Sequence, residues 1–518
     1  MTWPQAVYLS SRATPHQDVY FNMWRLRWFA HALVTPSVRL FDANIFYPEP
    51  RTLALSDAMF VEGTLAAPLV WAGMAPVLVH NLLLLGAIAV SGVSMFALAR
   101  YLTGSRGAGV LAGIVFAFAP YRVEHVMHME LQWAMWMPLA FLALHRTFDT
   151  GKWKYGLGTG ACVALQMLSS IYYGIFLASL IALGAVLLVA RDRKVPLPGA
   201  LLPLAAGAVL AAAISGVYAM PYLRVHGRMG DRPAAEIAAF SARPSNYLAA
   251  PPANWLYGRH SASRGGAERR LFPGLIPVVL AVAGLLLRSP SRRAIVYLLL
   301  LVAAFETSLG FGGYAYTFLY DHVPAYRGLR APARLGIFVL MFLGVLAAYG
   351  FQALTEGRAV ATRVVLVTVL AAGLLAEYHS TATLMAYPNT AAPVYRVLAQ
   401  QPRGVVVEFP VPHVDALPGD DAKYAYLSTF HWFPLVNGYS GIYPPSYLAR
   451  LERLRDFPGE RAIAQLRRDN VAYVVIHGSS YPAPAFGELR ARIGDTGALI
   501  ELGVFDDSEA HAVLYRMR

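Results

Sequence analysis

The chain has 518 residues, 57% of them hydrophobic and 14% charged, with a mean hydropathy of +0.46 and a formal net charge of +13. A soluble domain carries about 25% charged residues, so this composition, with its repeated apolar stretches of spanning length, excludes an ordinary soluble protein. Cys162 is the only cysteine, which excludes an intrachain disulfide and a cysteine-based metal site.

Of the 43 basic residues, 39 are arginine and 4 lysine. Much of this charge sits in short loops between apolar segments, as membrane topology requires, and not on one soluble face as a nucleic-acid partner would require. The first ten residues lack a basic region followed by an apolar core, so no cleavable signal peptide is read.

In chain order, residues 1–63 are polar and aromatic and open on "TPHQDVYFNMWRLRWFAH". Residues 64–75 are apolar but hold Pro68 and suit the membrane interface. About ten spans are predicted, near 76–99, 107–120, 132–146, 155–170, 173–190, 197–220, 271–287, 294–310, 334–355 and 363–379. The loops "RYLTGSRG", "HRTFDTGKWK", "RDRK", "RSPSRR" and "TEGRAVATR" are basic and are placed in the cytoplasm. The alternate loops, residues 1–63, the long loop 221–270 and everything after 380 then face outward. After 380 the character changes. "RGVVVEFPVP" and "VAYVVIHGSS" are β-branched runs of strand length, and "SYLARLERLRDFP" and "GERAIAQLRRDN" have helical spacing, which predicts a small α/β domain. The expected organisation is an outward first loop (1–63), a transmembrane bundle with outward loops (64–380) and a soluble extracytoplasmic α/β domain (381–518).

Ionisable residues near a bilayer are costly and mark function, and several outward stretches carry them. The opening loop has Asp18, followed by Trp24, Arg25, Arg27, Trp28 and His31, then Asp42, Glu49, Asp57 and Glu62. An aromatic belt at headgroup level would explain the tryptophans but not the clustered carboxylates. In "APYRVEHVMHMELQW", Arg122, His125 and His128 share a face if the stretch is helical, and Glu130 follows. Two histidines and a carboxylate suit a divalent metal, or form the polar mouth of a helix pair. "SSIYYG" offers Tyr172 and Tyr173 for stacking on a sugar or for the interface. Arg243, Asn246, Tyr247, Glu268 and Arg269 lie in the long loop before a span. Arg327, Arg330 and Arg334 occur outward, against the positive-inside tendency. They call for a phosphate partner, or for pairing with Asp321 or Glu306.

The stretches "DVYFNMWRLRWFAHAL", "FDANIFYPEPRTLALSD", "FAFAPYRVEHVMHMELQW", "LSSIYYG", "LRAPAR" and "LVNGYSGIYPPSY" are spread over nearly the whole chain. Together they resemble the GT-C class of membrane glycosyltransferases, and more closely the bacterial proteins described as glycosyltransferase-like integral membrane proteins. The resemblance implies a multi-span fold and transfer of a sugar from a polyprenyl-phosphate-linked donor to a glycan, lipid or protein acceptor at the outer face of the bacterial cytoplasmic membrane. It matches Asp18 to the key acid of the first outward loop, a cation ligand or the base that activates the acceptor hydroxyl. It implies a donor-phosphate role for Arg327, Arg330 and Arg334. Asp57, Arg122, His125, His128, Glu130, Tyr172, Tyr173 and Glu268 are the further candidates around the substrate. A divalent cation (Mg or Mn) is the implied cofactor, with Asp18 and His128 as candidate ligands. The chain departs from the class in two places. The acid stands alone, between Gln17 and Val19, and the helix expected before the loop is missing, so that the chain is expected to start late. A flippase for a lipid-linked sugar would show polar breaks within its spans, and a non-catalytic envelope glycan-binding relative would keep the fold without the base.

Overall fold

A computed structural model describes residues 3–191, 197–287, 289–506 and 511–518. Most of the basic loop "RDRK", and the first arginine of "RSPSRR", lie outside these residues. Each of the ten apolar stretches forms a helix, from Pro76–Thr103 to Val360–Glu377. Among the described residues, six helices are long and apolar enough to cross a membrane: Pro76–Thr103, Arg106–Glu124, Ile171–Ala190, Gly199–Met229, Pro332–Thr355 and Val360–Glu377. The helix from Leu197 runs on to Met229, so the first nine residues of the expected long loop 221–270 continue it. Serines start two of the helices: Ser105 accepts from the Ala108 N–H at 3.2 Å and Ser291 from that of Ala294 at 3.1 Å, each satisfying a donor the helix cannot.

The chain divides into two compact units. One holds the residues up to Val7 with Leu82–Thr383, the other Tyr8–Asn81 with Leu384–Arg518. In the first, the Gly336–Thr355 helix is apolar on all sides and almost wholly buried, as an all-round apolar helix must be. Its Phe342 packs with Phe141, Tyr297 and Phe338. By contrast, 11% of the apolar stretch of Val360–Glu377 is buried, which leaves the rest for lipid. Small residues let helix backbones touch. A side chain at Gly160 of Trp153–Ser169 would strike the Gly207 backbone, and one at Gly350 would strike the Leu280 carbonyl. Gly160→Leu and Gly350→Leu are each expected to lower the Tm by 10 °C or more in detergent, while Gly86→Leu, with nothing near its Cβ, leaves it within a few degrees.

In the second unit, the Gln17–Val34 helix packs on Asp421–Leu427 and on Phe60–Trp71, the helix that holds the apolar stretch 64–75. The tail contains the two predicted strands, Val405–Phe409 and Val471–His477, in parallel register. Two more strands, Leu499–Asp506 and His511–Met517, complete a four-stranded mixed sheet. Residues 434–437 lie along one edge of this sheet: Val406 N–H donates to Pro434 O (2.8 Å) and Val436 N–H to Val406 O (2.9 Å). On its other side the same segment pairs with the first loop, Leu435 N–H donating to Asn44 O (2.7 Å) and Phe46 N–H to Asn437 O (3.0 Å). Arg12–Ala13 and Met385–Ala386 add an antiparallel ladder. First loop and tail therefore share one set of backbone bonds.

Beneath this pairing lies a buried polar network. Glu408 Oε2 accepts from the Tyr395 hydroxyl (2.6 Å), and His477 Nε2 lies 2.6 Å from it. Asn437 ties Glu408 to Asp421, donating to the Glu408 carbonyl (3.0 Å) and to Asp421 Oδ1 (3.1 Å). Burial raises the Asp421 carboxyl from 3.8 to about 7, against the opposing hydrogen bonds from Tyr447 and Asn437. Between those values the folded chain keeps a proton that the unfolded chain has lost. Stability is therefore greatest below the lower value and declines as pH rises toward the upper one, by up to about 1.4 kcal/mol per pH unit. Thermal melts from pH 4 to 8 should show this decline in the wild type and a flatter profile in Asp421→Asn.

Candidate functional site

The site in the first unit is built on a broken helix. Arg106–Phe118 ends before Pro120, a short helix runs Pro120–Glu124, and a second one, Met129–Gln132, follows the turn 125–128. The single helical face expected for Arg122, His125 and His128 does not exist, because the proline restarts the chain and the turn redirects it. Gln132 holds the turn closed. Its amide donates to the carbonyls of Arg122 (3.1 Å) and His125 (2.8 Å), and it accepts from Arg122 Nε (3.1 Å) at its side chain and Nη2 (2.7 Å) at its backbone. The His125 and His128 rings end 5.6 Å apart between centroids.

Glu268, in the short turn Ala267–Arg269, reaches the two histidines from a distant part of the sequence. Ligand atoms of His125, His128 and Glu268 all lie within 4.8 Å of one another. Arg334, from the turn that starts the central helix, grips both Glu268 oxygens, at 2.7 and 3.1 Å. Its guanidinium also lies 5.0 Å above the Tyr172 ring. Burial raises the Glu268 carboxyl, but the charge and hydrogen bonds of Arg334, with His125 and His128 beside it, together hold the group well below the usual carboxylate range. His125 is 2% exposed, and both of its ring nitrogens are buried without a hydrogen-bond partner among the described residues. Burial pushes its imidazole down to about 3, so the ring is neutral and offers a lone pair. A buried polar group without a partner is costly, and two imidazoles with a carboxylate form a donor set for a divalent cation of the Mn or Zn kind.

The other candidates are dispersed. Arg327 donates to the carbonyls of Tyr320 (3.2 Å) and Asp321 (3.1 Å) and closes the end of a helix. Arg330 lies 3.7 Å from Glu236 and over Phe240, and its backbone N–H donates to the Tyr172 hydroxyl (3.0 Å). Glu306 caps the backbone at Tyr314 and Ala315, so the arginines' carboxylate partners are Glu236 and Glu268, not Asp321 or Glu306. Tyr173 is fully buried, its hydroxyl 3.3 Å from that of Tyr121. Glu130 is buried in its short helix, outside the three-ligand group.

In the second unit, the opening stretch is helix from Gln17 to Val34, with Asp18 in its first turn. Trp24 and Trp28 are buried, bonded to Asn44 Oδ1 (3.1 Å) and Leu40 O (2.8 Å); they are core and not an interfacial belt. The Asp57 backbone carbonyl accepts from Arg25 at 2.7 Å. Asp18 Oδ1 accepts from the Tyr439 hydroxyl at 2.6 Å, and Oδ2 lies 3.2 Å from His16 Nδ1. Sequence reasoning did not single out Gln132, Glu236 or Tyr439. Gln132 stood in a stretch it quoted, "APYRVEHVMHMELQW", and Tyr439 in another, "LVNGYSGIYPPSY"; Glu236 stood in neither.

No protein-family model matches the chain, and no curated protein is similar to it in sequence. Solved structures are similar to it in fold. The arabinofuranosyltransferase AftD from Mycobacteria superposes with a TM-score of 0.65 at 16% identity, covering 100% of this chain and 40% of that one. The oligosaccharyltransferase AglB from Archaeoglobus fulgidus, in complex with an inhibitory peptide and a dolichol-phosphate, superposes with a TM-score of 0.50 at 13% identity over 89% of this chain and 65% of that one. The chain thus spans less than two thirds of the length of either. It has a GT-C-like fold, and the six long apolar helices among its described residues make it a multi-pass membrane protein.

Arg334→Leu leaves the Glu268 carboxylate buried without its counter-ion, an arrangement that costs about 3–5 kcal/mol. Arg334→Lys keeps the charge but loses the fork and is expected to fall between. Thermal unfolding of the purified chain reads the order; a Leu variant as stable as wild type would show that the pair adds nothing.

Proposed function

We propose that the chain is a glycosyltransferase that moves a sugar from a polyprenyl-phosphate-linked donor to an acceptor hydroxyl at the outer face of the cytoplasmic membrane. The observation that carries this reading is the group of His125, His128, Glu268 and Arg334, the first and last buried and the other two half-buried, on a GT-C-like fold. In the reaction the bond between the sugar C1 and the phosphate oxygen breaks, a bond from C1 to the acceptor oxygen forms, and polyprenyl phosphate leaves. Asp18 takes the acceptor proton, the role the resemblance assigns to it. Arg330 is the arginine suited to the donor phosphate, because its approach to Glu236 is long at 3.7 Å and readily exchanged for a phosphate oxygen. Arg334 keeps Glu268 ionised and in place.

His125, His128 and Glu268 would hold a divalent cation. Their imidazoles favour Mn or Zn over Mg, which prefers oxygen ligands. Such a cation would supply positive charge against the departing phosphate. This donor set contains His128 and leaves Asp18 to proton transfer.

Two measurements test the parts separately. Purified full-length protein in nanodiscs is given polyprenyl-phosphate-linked pentoses and hexoses, and release of polyprenyl phosphate is followed. Activity with one of them, lost at least a hundredfold in Asp18→Asn, is the expected result; an Asp18→Asn variant with full activity removes the base assignment. Calorimetric titration with Mn²⁺ and Zn²⁺ is expected to show one site, weakened tenfold or more in His125→Ala and untouched in Asp18→Asn. Equal affinity in His125→Ala would remove the cation site.

A further inference from the structure

We propose that Tyr439, contributed by the tail, is a positioning residue for the Asp18 carboxylate, so that the tail orients the base. The inference rests on the reading of Asp18 as the base. An acid in the first turn of a helix is ordinarily accounted for by the helix dipole. Here one oxygen has a specific partner, since the Tyr439 hydroxyl donates to Asp18 Oδ1 at 2.6 Å, the length of a charge-assisted O–H···O⁻ bond. The Asp18 side chain is 14% exposed, so water competes weakly for that position.

Tyr439 is itself held from several directions. Asn437, two residues before it, exchanges bonds with the Glu408 backbone, accepting at 2.8 Å and donating at 3.0 Å. Gly438 has no room for a Cβ because the Phe46 ring fills that space. Phe21, one turn beyond Asp18, meets the Tyr439 ring edge-on at 5.1 Å between centroids. The hydroxyl therefore reaches Asp18 from a fixed point of the sheet. Burial, then the charge and hydrogen bond of Asp18, push the phenol far above its ordinary range, so it acts as a donor and not as a second acid or base.

The consequence is a division of labour between the two carboxylate oxygens. Oδ1 is occupied by the phenol. Oδ2 lies 3.2 Å from His16 Nδ1 and is the oxygen assigned here to proton transfer. The His16 ring nitrogen is turned to the backbone, where it accepts from the Asp18 N–H at 3.1 Å. The charged and titratable groups around the pair are His16, Arg25 and Tyr443. A hydrogen bond to one carboxylate oxygen fixes the direction of the other, the kind of orientation on which proton transfer depends.

The test uses the full-length chain in nanodiscs and two readouts. The first needs no substrate: the pH dependence of carbodiimide modification of Asp18, followed by mass spectrometry of its peptide. Tyr439→Phe is expected to raise the midpoint by roughly one pH unit, the size of a lost charge-assisted bond. Site-specific 3-fluorotyrosine at 439, a stronger donor that leaves the packing intact, is expected to lower it. Tyr481→Phe, elsewhere in the tail, leaves it unchanged. The second readout is transfer itself, where Tyr439→Phe lowers kcat tenfold or more at unchanged KM and moves the acidic limb of the pH profile upward. Midpoints that do not move in either Tyr439 variant overturn the inference. If Asp18→Asn is inactive while Tyr439→Phe keeps wild-type kcat and pH profile, positioning is overturned and the base reading stands. If Asp18→Asn is fully active, the base reading falls, whatever the labelling shows.

Discussion

One buried ion pair constrains the first unit more than any other interaction. Glu268 and Arg334 come from segments 66 residues apart, and neither is stable in a low-dielectric interior without the other. Their pairing pins the turn before the central helix to the short turn Ala267–Arg269. It also fixes where a negative charge lies relative to His125 and His128. The histidines contribute the opposite property. His125 is buried and neutral, with no hydrogen bond on either nitrogen among the described residues, so it has capacity for a ligand. A charged pair that is fully satisfied beside a base that is not is an arrangement suited to binding, because the first holds its shape while the second keeps an open position.

The second unit is organised around backbone pairing. A segment of the tail lies between the sheet and the first loop and bonds to both. Main-chain hydrogen bonds of this kind are insensitive to side-chain identity, whereas Gly438 and Asn437 are not interchangeable: one admits the Phe46 ring and the other links Glu408 to Asp421. The opening helix, rich in tryptophan and arginine, is therefore a core element. Its aromatic residues are packed inward and its first-turn acid is bonded to a tyrosine more than 400 residues later in the chain.

Sugar transfer from a lipid phosphate needs a stable anionic leaving group, a means of holding that anion and a base for the incoming hydroxyl. Arg327, Arg330 and Arg334 looked alike in sequence, all three in loops expected to face outward and so against the charge rule. In the structure they separate by partner. Arg327 closes a helix, Arg334 is committed to Glu268, and only Arg330 has a loose contact. Partner geometry, which local spacing does not encode, decides which of them is available to an anion.

The ten helices and the α/β character of the tail were legible in the sequence. Apolar length and β-branched runs are local properties, and a bilayer or a sheet imposes them on contiguous residues. His125, His128, Glu268 and Arg334 were legible one at a time, as charged or ligating side chains in loops. Their assembly was not, because Glu268 lies more than 130 residues beyond the histidines and because Pro120 and the turn at 125–128 break the helix that spacing suggested. The two C-terminal strands and the role of Tyr439 were also hidden, since both depend on long-range pairing. The sequence by itself determined that this is a membrane protein of many helices joined by polar loops, since hydrophobicity acts residue by residue. Only the tertiary structure decided which acids meet which arginines and histidines, because the energy of a buried charge depends on the partner that folding brings to it.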